Sequence, residues 1–136
     1  MGVYKTAEEL YTYMGKIFQA GFDDPELGDR FRAVGATIRL NYRDPDSKIT
    51  IDFGQGLVEF GDSTTLEPEV NLFMDADLAH RFWLGKVNVP VAMAKGQIKT
   101  KGPVGVVLKI TPITKPLYEK YKDILRESGR EELLTV

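Results

Sequence analysis

The sequence has no cysteine, a single histidine and no long apolar run. Over its 136 residues, the lack of cysteine excludes disulfides, thiolate nucleophiles and cysteine-ligated metals. No stretch of about 18 apolar residues occurs, and the N-terminus continues into a charged segment instead of an apolar signal core. We therefore expect a single domain over residues 1–136, neither exported nor membrane-spanning, and by default cytoplasmic.

An excess of positive charge is also missing. The net charge of -2 disfavours general nucleic-acid binding, which requires surplus cations to displace counterions from phosphate. The distribution is nevertheless uneven, because the stretch Lys86–Lys115 contains six lysines and no acidic residue. Two interpretations remain open. The lysines either solvate one side of the domain or attract anionic lipid headgroups, at about 1 kcal/mol per lysine near a charged surface.

The N-terminal half predicts two helices followed by strands. Thr6 and Glu9 have the spacing of a capping box, and apolar residues follow at helical spacing. A second, shorter helix comes next. After Gly35 the apolar residues alternate with period two in three runs separated by short turns, which predicts an antiparallel meander. The segment Glu69–Met74 predicts a fourth strand.

The C-terminal half predicts mainly helices. One begins after Asp75. Asn88–Ala94 predicts a short helix that is apolar nearly all round, and Gln97–Lys101 predicts a brief fifth strand. Residues 103–111 fit a helix or a strand, and we favour a helix. A last amphipathic helix follows Pro116, and we expect the final residues to be loose. The fold class is therefore α+β.

Catalytic chemistry is thinly represented. We expect His80 to be a solvated surface residue on the outer side of its helix, beside Asp77. Asp77 and His80 have a spacing that suits two metal ligands, but no third ligand accompanies them. Asp44 and Asp46 flank a proline in a turn, where aspartate is common for conformational reasons. We predict no catalytic residue, no metal and no cofactor.

Two segments carry a family resemblance. Residues 77–86 end in Gly-Lys, and residues 91–102 contain Ala and Met, then a glycine, an apolar and basic strand, and a second glycine. This order resembles the sterol carrier protein two family, most clearly over residues 70–118. Pro103 departs from the pattern, since relatives often have an acidic residue there. The C-terminus also lacks a peroxisomal Ser-Lys-Leu signal.

The resemblance implies a five-stranded, mainly antiparallel sheet with helices on one face and an apolar tunnel between them. It implies a carrier, not an enzyme, for a fatty acid, fatty acyl-CoA, sterol or related lipid. Under that hypothesis we expect the tunnel walls to be Phe53, Phe60, Phe73, Leu78, Phe82, Trp83, Met93, Ile98, Val104, Val107, Leu108, Ile113 and Leu117. The lysines between Lys86 and Lys115 would steer the opening to anionic membranes.

Two alternatives stay open. One is an accessory or interaction module of the same fold, which predicts a solid interior and a large exposed apolar patch. The other is an acyl-handling enzyme that uses His80 with Asp77, which predicts that His80 lines a pocket.

Overall fold

The computed structural model describes residues 2–136, in which six α-helices accompany a five-stranded sheet. The helices are α1 (Ala7–Asp23), α2 (Pro25–Val34), α3 (Ala76–Trp83), α4 (Val89–Ala94), α5 (Val104–Ile110) and α6 (Leu117–Glu127). The strands are β1 (Thr37–Arg43), β2 (Ser47–Asp52), β3 (Leu57–Phe60), β4 (Val70–Asp75) and β5 (Lys99–Lys101). Two short 3-10 helices, Thr111–Thr114 and Glu131–Thr135, precede and follow α6. The predicted α+β class is confirmed.

The sheet has the strand order β3-β2-β1-β4-β5. Its first three strands form the predicted antiparallel meander, and β5 also pairs antiparallel with β4. The pair β1–β4 is parallel, because the chain leaves the sheet edge at β3 and returns beside β1. Three of the four pairings are thus antiparallel, as expected, with one parallel pair at the centre.

Strand alternation gives the sheet an apolar face and a polar face. Ile38 of β1 lies opposite Ile51 of β2 and Val70 of β4, and all three are buried. The neighbouring positions point the other way, where Arg39 lies opposite Thr50 and its guanidinium donates to that hydroxyl over 3.0 Å. The helices therefore cover the apolar face, and the polar face remains outside.

Helix α1 begins at the predicted cap but with a different partner for Glu9. The Thr6 hydroxyl accepts from Glu9 N at 3.1 Å, whereas the Glu9 carboxylate accepts from Lys5 N at 2.7 Å instead of Thr6 N. The apolar side of α1 includes Leu10 and Met14, and packs on β2, β3 and α6. This contact joins the two ends of the chain.

The C-terminal half confirms α3, α4, the brief strand β5 and the helical alternative for residues 103–111. The expectation of loose final residues is wrong. Leu133 is 6% exposed, and the 3-10 helix that carries it packs on α6. A buried leucine near the C-terminus adds apolar contact area, which explains why this segment is held.

Candidate functional site

A cavity with almost wholly apolar walls separates the buried face of the sheet from the helices. Its volume is about 90 Å³, counted as the space that the centres of water-sized spheres can occupy. The sheet contributes Ile38, Leu40, Tyr42, Ile51, Leu72 and Met74, and Phe53 joins them from the turn that follows β2. The covering segments contribute Phe18, Phe31, Leu78, Ala79, Phe82, Trp83, Val89, Ile98, Val107, Ile110, Thr111 and Thr114.

The size of the cavity limits what fits without rearrangement. One water needs about 10–15 Å³ on this measure, and apolar cavities of suitable size stay dry and bind small hydrocarbons. The observed 90 Å³ therefore holds a short apolar group. A guest with a longer alkyl chain must displace side chains of the wall, and Phe82 is a suitable one because its ring is only partly buried.

Six of the side chains expected from the sequence lie in the cavity wall. They are Phe53, Leu78, Phe82, Trp83, Ile98 and Val107. Trp83 packs edge-on against Phe18 and Phe82, with ring centroids 5.6 and 4.9 Å apart. These contacts fix a rigid aromatic wall, since perpendicular rings interlock.

The other expected side chains do not line this cavity. Phe60 stacks on Tyr11 of α1, and Phe73 lies on the polar outer face of the sheet beside Lys99. Each of these two phenylalanines is about two-fifths exposed. Leu117 is fully buried in the core, close to Gly21 of α1. The four remaining ones, on α4, α5 and the first 3-10 helix, lie exposed or half-buried outside the wall: Met93, Val104, Leu108 and Ile113.

Of the thirteen wall residues that the sequence reasoning missed, six belong to the sheet. Ile38 and Leu40 alternate with polar neighbours, so period two already assigned them to one apolar face. Leu72 shares one face of the fourth strand with Met74, whereas the sequence analysis placed Phe73, on the other face, in the wall. Phe18 and Phe31 lie on the apolar sides of α1 and α2. Apolar periodicity could have found these wall residues, but it does not distinguish a cavity wall from a filled core.

Three hydroxyl groups interrupt the apolar lining. Thr111 Oγ1 donates to Val107 O and Thr114 Oγ1 donates to Thr111 O, both at 2.6 Å. Both hydroxyl protons are therefore already used in hydrogen bonds to backbone carbonyls. Tyr42 is different. Its side chain is 4% exposed, its Oη has no hydrogen-bond partner among residues 2–136, and burial raises its pKa above the ordinary phenol value.

His80 corrects the expectation of a surface histidine, because its side chain is fully buried. Nδ1 lies 2.6 Å from Tyr121 Oη, and Nε2 lies 2.8 Å from Leu133 O. The carboxylate of Asp77 accepts from Val3 N at 2.8 Å instead of pairing with the imidazole. Both ring nitrogens are thus occupied, and the sequence missed this because the partners are 41 and 53 residues away.

Other chemistry is sparse in the part of the chain that the structure describes. No group of three or more His, Cys, Asp or Glu side chains is placed to hold a metal ion there. No helix among residues 2–136 is long and apolar enough to cross a membrane.

The lysines between Lys86 and Lys115 do not form one patch. Lys99 and Lys101 lie on the outer face of the sheet, where they pair across the strands with Phe73 and Asn71. Lys95 follows α4, and Lys109 lies in the last turn of α5. These same two helices expose apolar side chains: Val91, Val104 and Leu108. Each helix also sends residues into the cavity wall, so these exposed residues lie over the cavity.

Comparison with known proteins gives a family match and a set of similar folds. The model of the SCP-2 sterol transfer family matches residues 15–115. No curated protein matches the chain in sequence at a significant level.

Three solved structures illustrate the fold. Sterol carrier protein 2 from Yarrowia lipolytica is 19% identical, with 77% of this chain and 89% of that chain covered and a TM-score of 0.65. Sterol carrier protein 2 from Aedes aegypti, solved with palmitate, is 17% identical, with 80% and 94% covered and a TM-score of 0.57. A sec-alkylsulfatase from Pseudomonas sp. is 14% identical, with 63% of this chain but 14% of that chain covered and a TM-score of 0.54. The same fold therefore also forms part of a larger enzyme.

Proposed function

The chain belongs to the SCP-2 sterol transfer family, and we propose that it binds a hydrophobic ligand in its cavity and carries it, without catalysing a reaction. The observation that supports this best is the lining of the cavity, in which none of the described residues is charged at neutral pH, since burial raises the pKa of the Tyr42 phenol further above its ordinary value. Such a wall binds by shape and by removing apolar surface from water.

The energetics favour an acyl or sterol-like guest. Each methylene removed from water contributes about 0.8 kcal/mol. A buried chain of about a dozen carbons gains about 10 kcal/mol before the costs of association and of moving side chains are subtracted. Affinity in the micromolar range is the expected result. The palmitate complex of the Aedes aegypti protein supports a fatty-acid-sized guest, and fatty acids, acyl-CoA and sterols are the candidate ligands.

We further propose that α4 and α5 form the side that meets a membrane. Their exposed valine and leucine side chains lie among basic residues, at Lys95 and Lys109. Apolar contact with acyl chains and attraction to anionic headgroups would act together there. A ligand could then pass between bilayer and cavity beside these helices.

The cysteine-free sequence suits a reducing compartment, and we propose that the protein is located in the cytoplasm.

The two alternatives have weaker support. An interaction module predicts a solid interior, whereas this interior contains a cavity. An acyl-handling enzyme predicts that His80 lines a pocket, and His80 does border a second, open recess together with Asp77 and Arg81. The two side chains are nevertheless not free to act as a pair there, because both ring nitrogens of His80 and the carboxylate of Asp77 bind other partners.

The test compares two adjacent residues on opposite faces of β4. Leu72 lines the cavity and Phe73 lies on the outer face. The wild-type protein and the variants Leu72→Trp and Phe73→Trp are purified without detergent, extracted with solvent and examined by mass spectrometry. We expect lipid from the wild type and Phe73→Trp, and much less from folded Leu72→Trp. Absence of lipid from the wild type, together with failure to take up added palmitate, would contradict the proposal.

A further inference from the structure

Tyr42 Oη is a hydrogen-bond donor for which residues 2–136 supply no acceptor. Tyr42 lies on β1, on the sheet face that borders the cavity, and its side chain is 4% exposed. Thr100 Oγ1 is the one side-chain polar atom in residues 2–136 that lacks both a partner and any accessible surface. Tyr42 Oη also lacks a partner among these residues but is not one of the atoms without accessible surface, so it borders free space. The cavity is the free space whose wall includes Tyr42.

The other polar groups of the wall cannot replace this donor. The hydroxyl protons of Thr111 and Thr114 are already bound to backbone carbonyls. Tyr42 therefore presents the one uncommitted O–H group to the cavity. An unpaired polar group enclosed by apolar side chains costs about 1–3 kcal/mol, a cost that a ligand acceptor would remove.

The wall also determines the charge of a buried group. Within the part of the chain that the structure describes, no cationic side chain borders the cavity, and an ionised carboxylate taken out of water without a cation loses several kcal/mol. A neutral hydroxyl or carbonyl oxygen has a much smaller desolvation cost and can accept from a phenol.

We propose that the end of the ligand that enters the cavity carries a neutral oxygen, as in an alcohol or a carbonyl compound, which accepts a hydrogen bond from Tyr42. This inference rests on the proposed function, because it assumes that the cavity takes a lipid. It assigns to Tyr42 a role in specificity, selecting ligands with a neutral polar end over pure hydrocarbon. A ligand with an ionised headgroup would keep that group outside the cavity.

The experiment measures one ligand pair on three proteins. Dodecan-1-ol and 1-chlorododecane have the same chain length but differ in whether the terminal group hydrogen-bonds strongly. Each is used to displace the neutral fluorophore 1-aminoanthracene from the wild type, Tyr42→Phe and Tyr118→Phe. Tyr118 is a matched control because it lies outside the cavity wall, where its ring packs on Phe82.

We expect the ratio of alcohol affinity to chloroalkane affinity to fall about 2- to 10-fold in Tyr42→Phe, the usual range for one hydrogen bond. The affinity for 1-chlorododecane should hardly change, which shows that the cavity is intact. Tyr118→Phe should keep the wild-type ratio. An unchanged ratio in Tyr42→Phe would overturn the role of Tyr42 and leave the carrier function standing. Failure of both ligands to displace the fluorophore from wild type would overturn both proposals.

Discussion

Nδ1 of His80 lies 2.6 Å from the phenol oxygen of Tyr121 in the core of the protein. Nε2 of the same ring lies 2.8 Å from Leu133 O, which can only accept, so Nε2 carries the proton and Nδ1 accepts from Tyr121. Tyr4 Oη, 2.5 Å from Tyr121 Oη, then donates to it. This hydroxyl–imidazole chain of Tyr4, Tyr121, His80 and Leu133 joins the N-terminal segment, α3, α6 and the C-terminal 3-10 helix.

Replacing Tyr121 by phenylalanine should lower the free energy of unfolding. The substitution leaves His80 Nδ1 and Tyr4 Oη without partners in the core, and each unpaired buried group costs about 1–3 kcal/mol. We expect a loss of about 2 kcal/mol or more in urea unfolding. Tyr42→Phe is the control, because Tyr42 Oη has no partner to lose among residues 2–136, and the ligand-free variant should be at least as stable as the wild type, since it removes an unpaired hydroxyl. Equal losses in the two variants would contradict the assigned hydrogen bonds.

The stability of the protein should fall as the pH drops below neutral, because of His80. Burial lowers the pKa of His80, with Arg81 and Lys86 adding to the effect and the Leu133 carbonyl and Asp77 opposing it. The unfolded chain therefore binds the proton first. The stabilisation is complete above about pH 6.5, the ordinary histidine value, and is lost as the pH falls from there towards the folded-state pKa.

The variant His80→Gln isolates this contribution. Glutamine does not titrate, and its amide can donate to Leu133 O and accept from Tyr121 in place of the ring. Unfolding free energies measured from pH 8 to pH 5 should fall less steeply in this variant than in the wild type. Parallel curves would show that His80 does not set the pH dependence.

Binding to anionic vesicles should depend on the lysines of the helices and not on those of the sheet. The double variant Lys95→Gln/Lys109→Gln should associate more weakly with vesicles containing phosphatidylserine at low salt, by about 1 kcal/mol per lysine. Lys99→Gln/Lys101→Gln is the matched control, since it removes the same charge from the outer face of the sheet. Co-sedimentation measures both. If vesicle binding weakened equally in the two double variants, the proposal that the helical side meets the membrane would be contradicted.

Gly102 should not tolerate alanine. Its φ is +118°, and an added Cβ would overlap Glu69 O and approach Val70 Cα to 3.2 Å. Neither backbone atom can move without disturbing the start of β4, so we expect a loss of more than about 1 kcal/mol in unfolding free energy. Gly105→Ala is the control, because a Cβ there meets nothing within 4 Å and alanine favours a helix. Similar stabilities for both variants would contradict this account.

Local sequence signals predicted most of the fold. Capping residues, helical spacing and strand alternation each act over a few neighbouring positions, and they located every strand and the helices. The parallel pairing of β1 with β4 was not accessible in this way, because no local pattern records which strand lies beside which. The prediction that His80 is a surface residue was wrong for the same reason, since its two hydrogen-bond partners come from distant parts of the chain.

The cavity was harder to predict than the fold. Apolar side chains such as Phe60 and Leu117 have the same sequence character as Phe53 and Trp83, yet only the latter two border the cavity. The difference is set by how the helices pack on the sheet, and packing depends on shapes summed over many contacts. A list drawn from composition therefore mixes wall residues with core and surface ones.

The wall of the cavity and the hydroxyl–imidazole chain have no residue in common, although α3 supplies members to both. Substitutions of wall side chains such as Leu40 or Val107 could therefore change which ligand binds. Such substitutions would leave intact the hydrogen bonds that connect the N-terminal segment with the C-terminal 3-10 helix. Ligand specificity can thus evolve without loss of the stability that the hydroxyl–imidazole chain contributes.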